Sequence, residues 1–235
     1  AAFAGWQPAK VPERIVPVAP PAASSVVYLI DSPGASQSAI LAAAIAPKRA
    51  DGDEIARKLF NTAVGGDFTS RLNMKLREEK GWAYGASSEV SGGRGSRLFT
   101  AKVSAQTDKT ADSMTEIATI LTDALGGKPV SDAELAGAKD TMGLGLSSMW
   151  SDNEGIMGAL VDEVSAGLPQ SYYQSYAQKI AAADLASVNA AGADMLKGKP
   201  LTWVVAGDLS KIEAPIRALG IGEVRVIDAD GNLLR

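Results

Sequence analysis

The sequence predicts an α+β fold: a largely antiparallel mixed sheet backed by a layer of helices. Three observations lead there. Strand-like and helix-like segments follow one another in mixed order rather than in strict β-α-β-α alternation. A period-two stretch around residues 84–106 reads as a hairpin. At 235 residues and 46% hydrophobic, the chain is also long and apolar enough to bury a proper core.

Residues 1–25, "AAFAGWQPAKVPERIVPVAPPAASS", lack an initiating Met and show neither helical nor strand period; seven of the 11 prolines lie between the N-terminus and Pro47. Proline at that density favours extended, semi-rigid backbone, so this segment reads as a linker and the chain as a piece of something longer. Residues 26–235 read as the folded domain. "VVYLIDSPG" (26–34) is a β-branched and aromatic run closed by a Ser-Pro-Gly turn, a buried strand. "ASQSAILAAAIAP" (35–47) is ambiguous: alanine favours helix, while the preceding turn and Pro47 suit a second hairpin arm.

"ADGDEIARKLFNTAVGG" (50–66) places Ile55, Leu59, Phe60 and Ala63 at helical spacing, with Asp51 or Asp53 as N-cap and a double glycine as stop. The next helix, "SRLNMKLREEK" (70–80), is capped at Thr69 or Ser70 and ends at Gly81. In the following hairpin Leu98, Thr100, Lys102 and Ser104 share one face, and Phe99, Ala101 and Val103 the other. Further helices are expected near 108–125, from the capping-box pattern "SDAE" at 131–134, over "NEGIMGALVDEVSAG", over "PQSYYQSYAQKIAA" with Pro169 in its first turn, and over "DLASVNAAGADMLK". "LTWVVAG" reads as a strand, "LSKIEAPIRALG" as a short helix despite Pro215, and "EVRVID" as the last strand.

Composition narrows the chemistry. A net charge of −4 with no Lys or Arg run argues against nucleic acid or an anionic membrane as partner, and no apolar stretch reaches the roughly 20 residues of a membrane span. The sequence contains no Cys and no His. That removes disulfides, thiolate nucleophiles, Ser-His chemistry and every His-containing zinc site. "GGDFTS" (65–70) lacks the Lys-Ser/Thr ending of a phosphate loop, and "DADG" (228–231) lacks the distal Glu of a calcium loop. Glu78 and Glu79 beside Lys75 and Lys80 read as a solvated charged face. Tyr172, Tyr173 and Tyr176 could line a groove, with packing the default.

Arg77 and Tyr84 stand apart. Arg77 lies near a helix C-terminus, where its charge suits the dipole whatever else it does. The helix also ends at Gly81 and the chain reverses into "WAYG", so a guanidinium and a phenol could converge on a peptide carbonyl, a carboxylate or an oxyanion.

At these residues the sequence resembles a known family. "LIDSPGASQSAI", "DEIARKLFNTAVGGDFTSRLNMKLREEKGWAYG", "VSDAELAGAKD" and "LTWVVAGDLSKI", in that order and from about Val26 to the end, are similar to the C-terminal half of a pitrilysin-family zinc metallopeptidase, related to insulin-degrading enzyme and mitochondrial processing peptidase. The resemblance implies one half of a clam-shell built from two related α+β halves that close around an unfolded peptide. Zinc belongs to the other half, on a His-x-x-Glu-His motif, so this chain is expected to carry no cofactor and to need a zinc-bearing N-terminal half or partner subunit. "REEKGWAY" matches the family's Arg and Tyr, implying that Arg77 and Tyr84 contact substrate or oxyanion. It further implies a strand at "GASQSAI", a joining role for the Pro-rich start, and a periplasmic or membrane-associated bacterial setting. Two alternatives accompany the peptidase-half reading: an inactive scaffold or assembly subunit of the same superfamily, and an independent peptide-binding module.

Overall fold

The computed structural model describes residues 4–7, 9–10, 19–20, 22–49, 53–92 and 95–235. Most of the Pro-rich segment read as a linker, together with Asp51 as a candidate cap, lies outside them. Six strands form one mixed sheet: β1 (Val26–Asp31), β2 (Gln37–Ala46), β3 (Ala83–Val90), β4 (Arg97–Gln106), β5 (Thr202–Gly207) and β6 (Glu223–Ile227). Their spatial order is β3-β4-β2-β5-β1-β6. β2 runs antiparallel to β4 and β5, and β3 antiparallel to β4, whereas β1 is parallel to both β5 and β6.

The alanine-rich stretch is strand. Eight apolar residues would suit a helix by propensity, but β2 sits between β4 and β5, paired along its whole length with β4 and over Ala39–Ala43 with β5. Its side chains split by face: Ile40, Ala42, Ala44 and Ala46 are buried, and Ala39, Leu41 and Ala43 are not. Pairing on a half-buried sheet overrides alanine's intrinsic preference. The same alternation runs through β4, where Phe99, Ala101, Val103 and Ala105 are buried and Leu98, Lys102 and Ser104 face outward, as their spacing predicts.

Helices cover the buried face. α1 (Glu54–Asn61) is capped by Asp53, whose carboxylate accepts from the backbone N–H groups of Ile55 and Ala56, and runs on as a wider π-helical turn from Thr62 to Gly66. α2 (Arg71–Asn73) likewise widens into π-helix over Met74–Glu79, the Lys80 N–H reaching the Lys75 carbonyl at 3.0 Å. Ser70 occupies its N-cap position, yet the Ser70 hydroxyl makes no cap bond. Gly81, at φ 63°, ends the helix in the left-handed conformation that its lack of Cβ permits.

α3 (Thr110–Ala124), α4 (Asp132–Met149), α5 (Asn153–Ala166), α6 (Tyr176–Ala182), α7 (Leu185–Leu196) and α8 (Leu209–Ala218) complete the layer. The helix expected over "PQSYYQSYAQKIAA" is shorter than that segment. A 3₁₀ turn spans Tyr172–Ser175 and the α-helix starts only at Tyr176, leaving Pro169 outside it. Here the tyrosines pack together, and Tyr172 and Tyr176 also border shallow surface concavities: Tyr173 donates to Asp162 at 2.8 Å, Arg49 lies over the Tyr172 ring, and Trp150 meets Tyr173 edge-on. α5 turns Ala159 and Glu163 inward and Met157, Leu160 and Val161 outward. Where α1 crosses α7, a Cβ on Gly192 would fall 2.2 Å from the Phe60 ring, so glycine sets how closely the two helices approach.

Two ion pairs tie layers together. Arg97, 1% exposed at the start of β4, makes a bidentate pair with Glu54 of α1, both contacts at 2.8 Å. Replacing Arg97→Met strands the Glu54 carboxylate with only Arg57 nearby, at 3.7 Å. The expected cost is about 3 kcal/mol of stability. Urea unfolding checks this, and an unchanged midpoint would show that the pair contributes nothing.

Glu134 closes a capping box with Ser131 and also pairs with Arg71. Burial alone would raise its pKa, but the Arg71 guanidinium and the Ser131 amide and hydroxyl outweigh that and hold it near about 2. A depressed carboxylate contributes stability above its unfolded pKa of about 4.3, and that contribution disappears as pH falls toward 2. Glu134→Gln should therefore flatten the acid limb of stability against pH between about 4.5 and 2; an unchanged limb would assign the acid sensitivity elsewhere.

Candidate functional site

Arg77 and Tyr84 are brought together by a helix end, a glycine turn and an irregular strand. Arg77 lies in the last turn of the π-helical segment, and Gly81 reverses the chain into β3. The wider turn redirects side chains relative to a regular α-helix, which the sequence spacing did not reveal. On β3, Ala83 pairs with Ala105 and Ala86 with Val103, so Tyr84 and Gly85 together oppose Ser104 alone. This β-bulge breaks the alternation just after Tyr84, which stands on the outward side with Ser104, and returns Ala86 to the buried side. Tyr84 is 85% exposed.

The guanidinium carbon of Arg77 lies 5.1 Å from the centroid of the Tyr84 ring. It also lies 4.6 Å from the ring of Phe68, itself 58% exposed. Arg77 therefore has two aromatic neighbours, and its Nε contacts Glu78 Oε1 at 3.1 Å. Stacking against rings limits the rotamers of a long side chain while keeping its hydrogen-bonding edge available. Among the described residues neither the terminal Nη atoms of Arg77 nor the Tyr84 hydroxyl makes a hydrogen bond. What the cluster offers is a held cation and a phenol, both donors, at the margin of the uncovered sheet face.

Sequence reasoning passed over Phe68 and Asn73. Asn73 is 4% exposed, and its amide does two jobs: Nδ2 donates to the Phe68 carbonyl at 2.6 Å, and Oδ1 accepts from the Ala86 N–H at 3.1 Å. One buried side chain thus joins the loop that carries Phe68 to the strand that carries Tyr84, and it sits on the helix that carries Arg77. Asn61 holds the same strand edge further on, donating to the Ser88 carbonyl at 3.0 Å and accepting from the Ser88 hydroxyl at 2.8 Å. The sequence offers no signal for Asn73, because its burial, which obliges the amide to find partners, exists only once helix, loop and strand have met.

Glu78 and Glu79 do not act as a pair. Glu79 is bound to Lys75 at 2.6 Å, Glu78 to Arg77, and Lys80 to Glu116 at 3.6 Å, the solvated charge face the sequence predicts. "DADG" forms a turn in which Asp228 accepts from the Asp230 and Asn232 N–H groups. Among the described residues no three His, Cys, Asp or Glu side chains converge as a metal site, and no helix is long and apolar enough to cross a membrane. The donor set lacks imidazole and thiolate altogether, so these residues do not fit zinc.

Beside Tyr84 a groove of about 560 Å³ opens on the uncovered face of β2, β3, β4 and β5. A larger concavity of about 690 Å³ lies among α2, α3 and the start of α4, lined largely by paired charges, and does not include Arg77 or Tyr84.

Asn73→Ala is expected to cost about 1–3 kcal/mol, chiefly by leaving the buried Ala86 N–H unpaired and also by freeing the part-buried Phe68 carbonyl. It should also raise amide hydrogen exchange in residues 66–70 and 84–88 together. Unaltered exchange in both segments would remove Asn73 as the link between them.

Known proteins give the family. The structure superposes on the crystal structure of a peptidase M16 inactive domain from Pseudomonas fluorescens with a TM-score of 0.71 at 24% identity, covering 85% of this chain and 46% of that one. A protease from Helicobacter pylori gives 0.70 at 17% identity, covering 77% and 43%. A chain of complex III2 from Candida albicans gives 0.65 at 14%, covering 81% and 48%. The chain thus spans less than half the length of each of these three structures, and at these identities the likeness is one of fold. No curated protein matches. The model of the family described as "Peptidase M16 inactive domain" matches residues 1–142, more than half of the sequence, and the chain belongs to that family as the C-terminal half of a pitrilysin-like fold.

Proposed function

We propose that this chain is the non-catalytic half of a zinc peptidase, closing a peptide chamber and holding the substrate carbonyl through Arg77 and Tyr84. The observation that carries this reading is the Arg77–Tyr84 pair itself. Two side chains seven residues apart are adjacent in space, 5.1 Å from guanidinium carbon to ring centroid, and the tyrosine is exposed. Membership of the inactive-domain family and fold similarity to a protease support the reading further.

In this proposal the zinc lies in a separate N-terminal half or partner subunit, because the residues of this chain cannot supply its ligands. Arg77 binds and orients the peptide by its Nη donors, while Tyr84 donates from its hydroxyl to the carbonyl oxygen as negative charge develops there. Such donors are worth on the order of 3 kcal/mol each when well placed, so losing one should cost about 10²-fold in turnover. The chain by itself should not hydrolyse peptides; chelator-sensitive turnover by the purified chain would overturn this.

The test is turnover of a quenched fluorescent peptide by the zinc-bearing half with and without this chain. Activity should require this chain and fall at least about 10²-fold with Arg77→Ala or Tyr84→Phe, at unchanged thermal stability. Arg77→Lys should not restore it, since an ammonium lacks the planar fork of a guanidinium. Activity that needs the chain but ignores all three substitutions would make the pair structural and the chain an assembly subunit.

A further inference from the structure

We infer that the outward face of α5 is a docking surface for a basic amphipathic helix of another polypeptide. An ordinary surface helix turns its apolar stripe to the core. α5 does the reverse: Gly155, Ala159, Asp162, Glu163 and Ala166 form its inward side, while Ile156, Met157, Leu160 and Val161 face outward, between 36% and 60% exposed. This orientation is held. The Asp162 carboxylate accepts from both Nη atoms of Arg49, at 2.7 and 2.9 Å, and from the Tyr173 hydroxyl at 2.8 Å. Rolling the stripe inward would break these bonds and strand the buried Arg49 guanidinium without its counter-charge.

Shape, area and charge select the occupant. Ile156 with Leu160, and Met157 with Val161, make two i, i+4 rows side by side along the helix, and the groove between such rows takes a ridge of a second helix. The four side chains leave on the order of 350 Å² of apolar surface open, about half of the roughly 800 Å² that each copy contributes to a standard dimer. One amphipathic helix laid along the 14 residues of α5 covers it.

The charge is one-sided. Between Lys139 and Lys179 the sequence has no Lys, Arg or His, whereas Asp140, Asp152, Glu154, Asp162 and Glu163 all fall within that stretch. Asp162 is taken up by Arg49, and Glu163 is turned inward. That leaves Asp152, which caps α5, and Glu154 exposed at the N-terminal end of the stripe, neither in an ion pair among the described residues. A second copy of this face brings no cation to that end. Lys or Arg flanking the apolar row of a partner helix meets both acids, which gives the pairing its direction.

Fluorescence anisotropy with this chain tests it, using three labelled peptides of equal length: a Leu/Lys peptide with leucine along one helical face, a Leu/Glu peptide of the same pattern, and a Leu/Lys peptide of scrambled order. The patterned Leu/Lys peptide should bind at least tenfold tighter than either of the others. Met157→Ser with Leu160→Ser should remove that preference. Asp152→Asn with Glu154→Gln, which keeps a capping side chain, should weaken the patterned peptide about two- to fivefold and flatten its salt dependence. The same peptide should slow peroxide oxidation of Met157 and leave that of Met74, exposed on the helix that carries Arg77, unchanged. This footprint reads the site in the unaltered chain, whether or not the serine variant folds.

Equal protection of Met157 and Met74, or a preference that survives the serine pair, would overturn the site. A Leu/Glu peptide that binds as tightly as the patterned Leu/Lys peptide would overturn the basic partner. If the chain sediments as a dimer, or binds phosphatidylcholine vesicles, and the serine pair abolishes either behaviour, the face belongs to a second copy or to lipid and the proposal fails.

Discussion

The candidate site depends on how one edge strand is held. β3 ends the sheet, and its outer backbone groups would be an open template for another chain. Two helix side chains occupy that edge instead: Asn73 takes the Ala86 N–H, and Asn61 takes the Ser88 carbonyl. Amides suit the task because each offers both donor and acceptor, so a strand edge and a helix can be joined without leaving a buried partner unmet. The consequence reaches beyond edge protection. Asn73 uses its other end on the Phe68 carbonyl, and the strand bulges two residues before its contact with Ala86. Helix, loop and strand are thereby fixed relative to one another within a few residues, and each carries one member of the Phe68–Arg77–Tyr84 cluster.

Much of this architecture was legible in local sequence, and the part that was not has a common cause. Asp53, Ser131 and Gly81 act where their chemistry predicts, because caps and left-handed turns are decided within four or five residues. The alternation through Leu98–Ser104 likewise sets its own faces. By contrast, the π-helical widening around Arg77, the bulge at Tyr84 and the double bond of Asn73 arise only once the helix has docked on the strand. Nothing in "SRLNMKLREEK" distinguishes Asn73 from an exposed asparagine until Phe68 and Ala86 are beside it. The alanine-rich β2 shows the same limit from the other side: residue propensity favoured helix, and pairing to two neighbouring strands decided otherwise.

The helix layer carries its charges where they cross between elements. Arg97 joins β4 to α1 through Glu54, Arg57 of α1 reaches Asp194 of α7 at 3.0 Å, and Arg49 joins the end of β2 to α5 through a bidentate bond to Asp162. The Asp162 bond places a carboxylate on the inner face of α5, with Tyr173 as a second donor to it. Since Asp162 and Glu163 are turned inward, the apolar positions Met157, Leu160 and Val161 are left outward on the same helix. Helical periodicity marks such a stripe in sequence, but the direction it faces follows from the Arg49 pair.

The uncovered sheet face and the polar cluster at its margin lie on the same side of the sheet. A guanidinium and a phenol can hold a backbone carbonyl, a group every peptide has, and so cannot by themselves choose among sequences. A sheet covered by helices on only one side leaves both features on one continuous surface. The single-sided burial that period-two alternation records in β2 and β4 is therefore what leaves Tyr84 and the groove beside it open on the same side of the sheet.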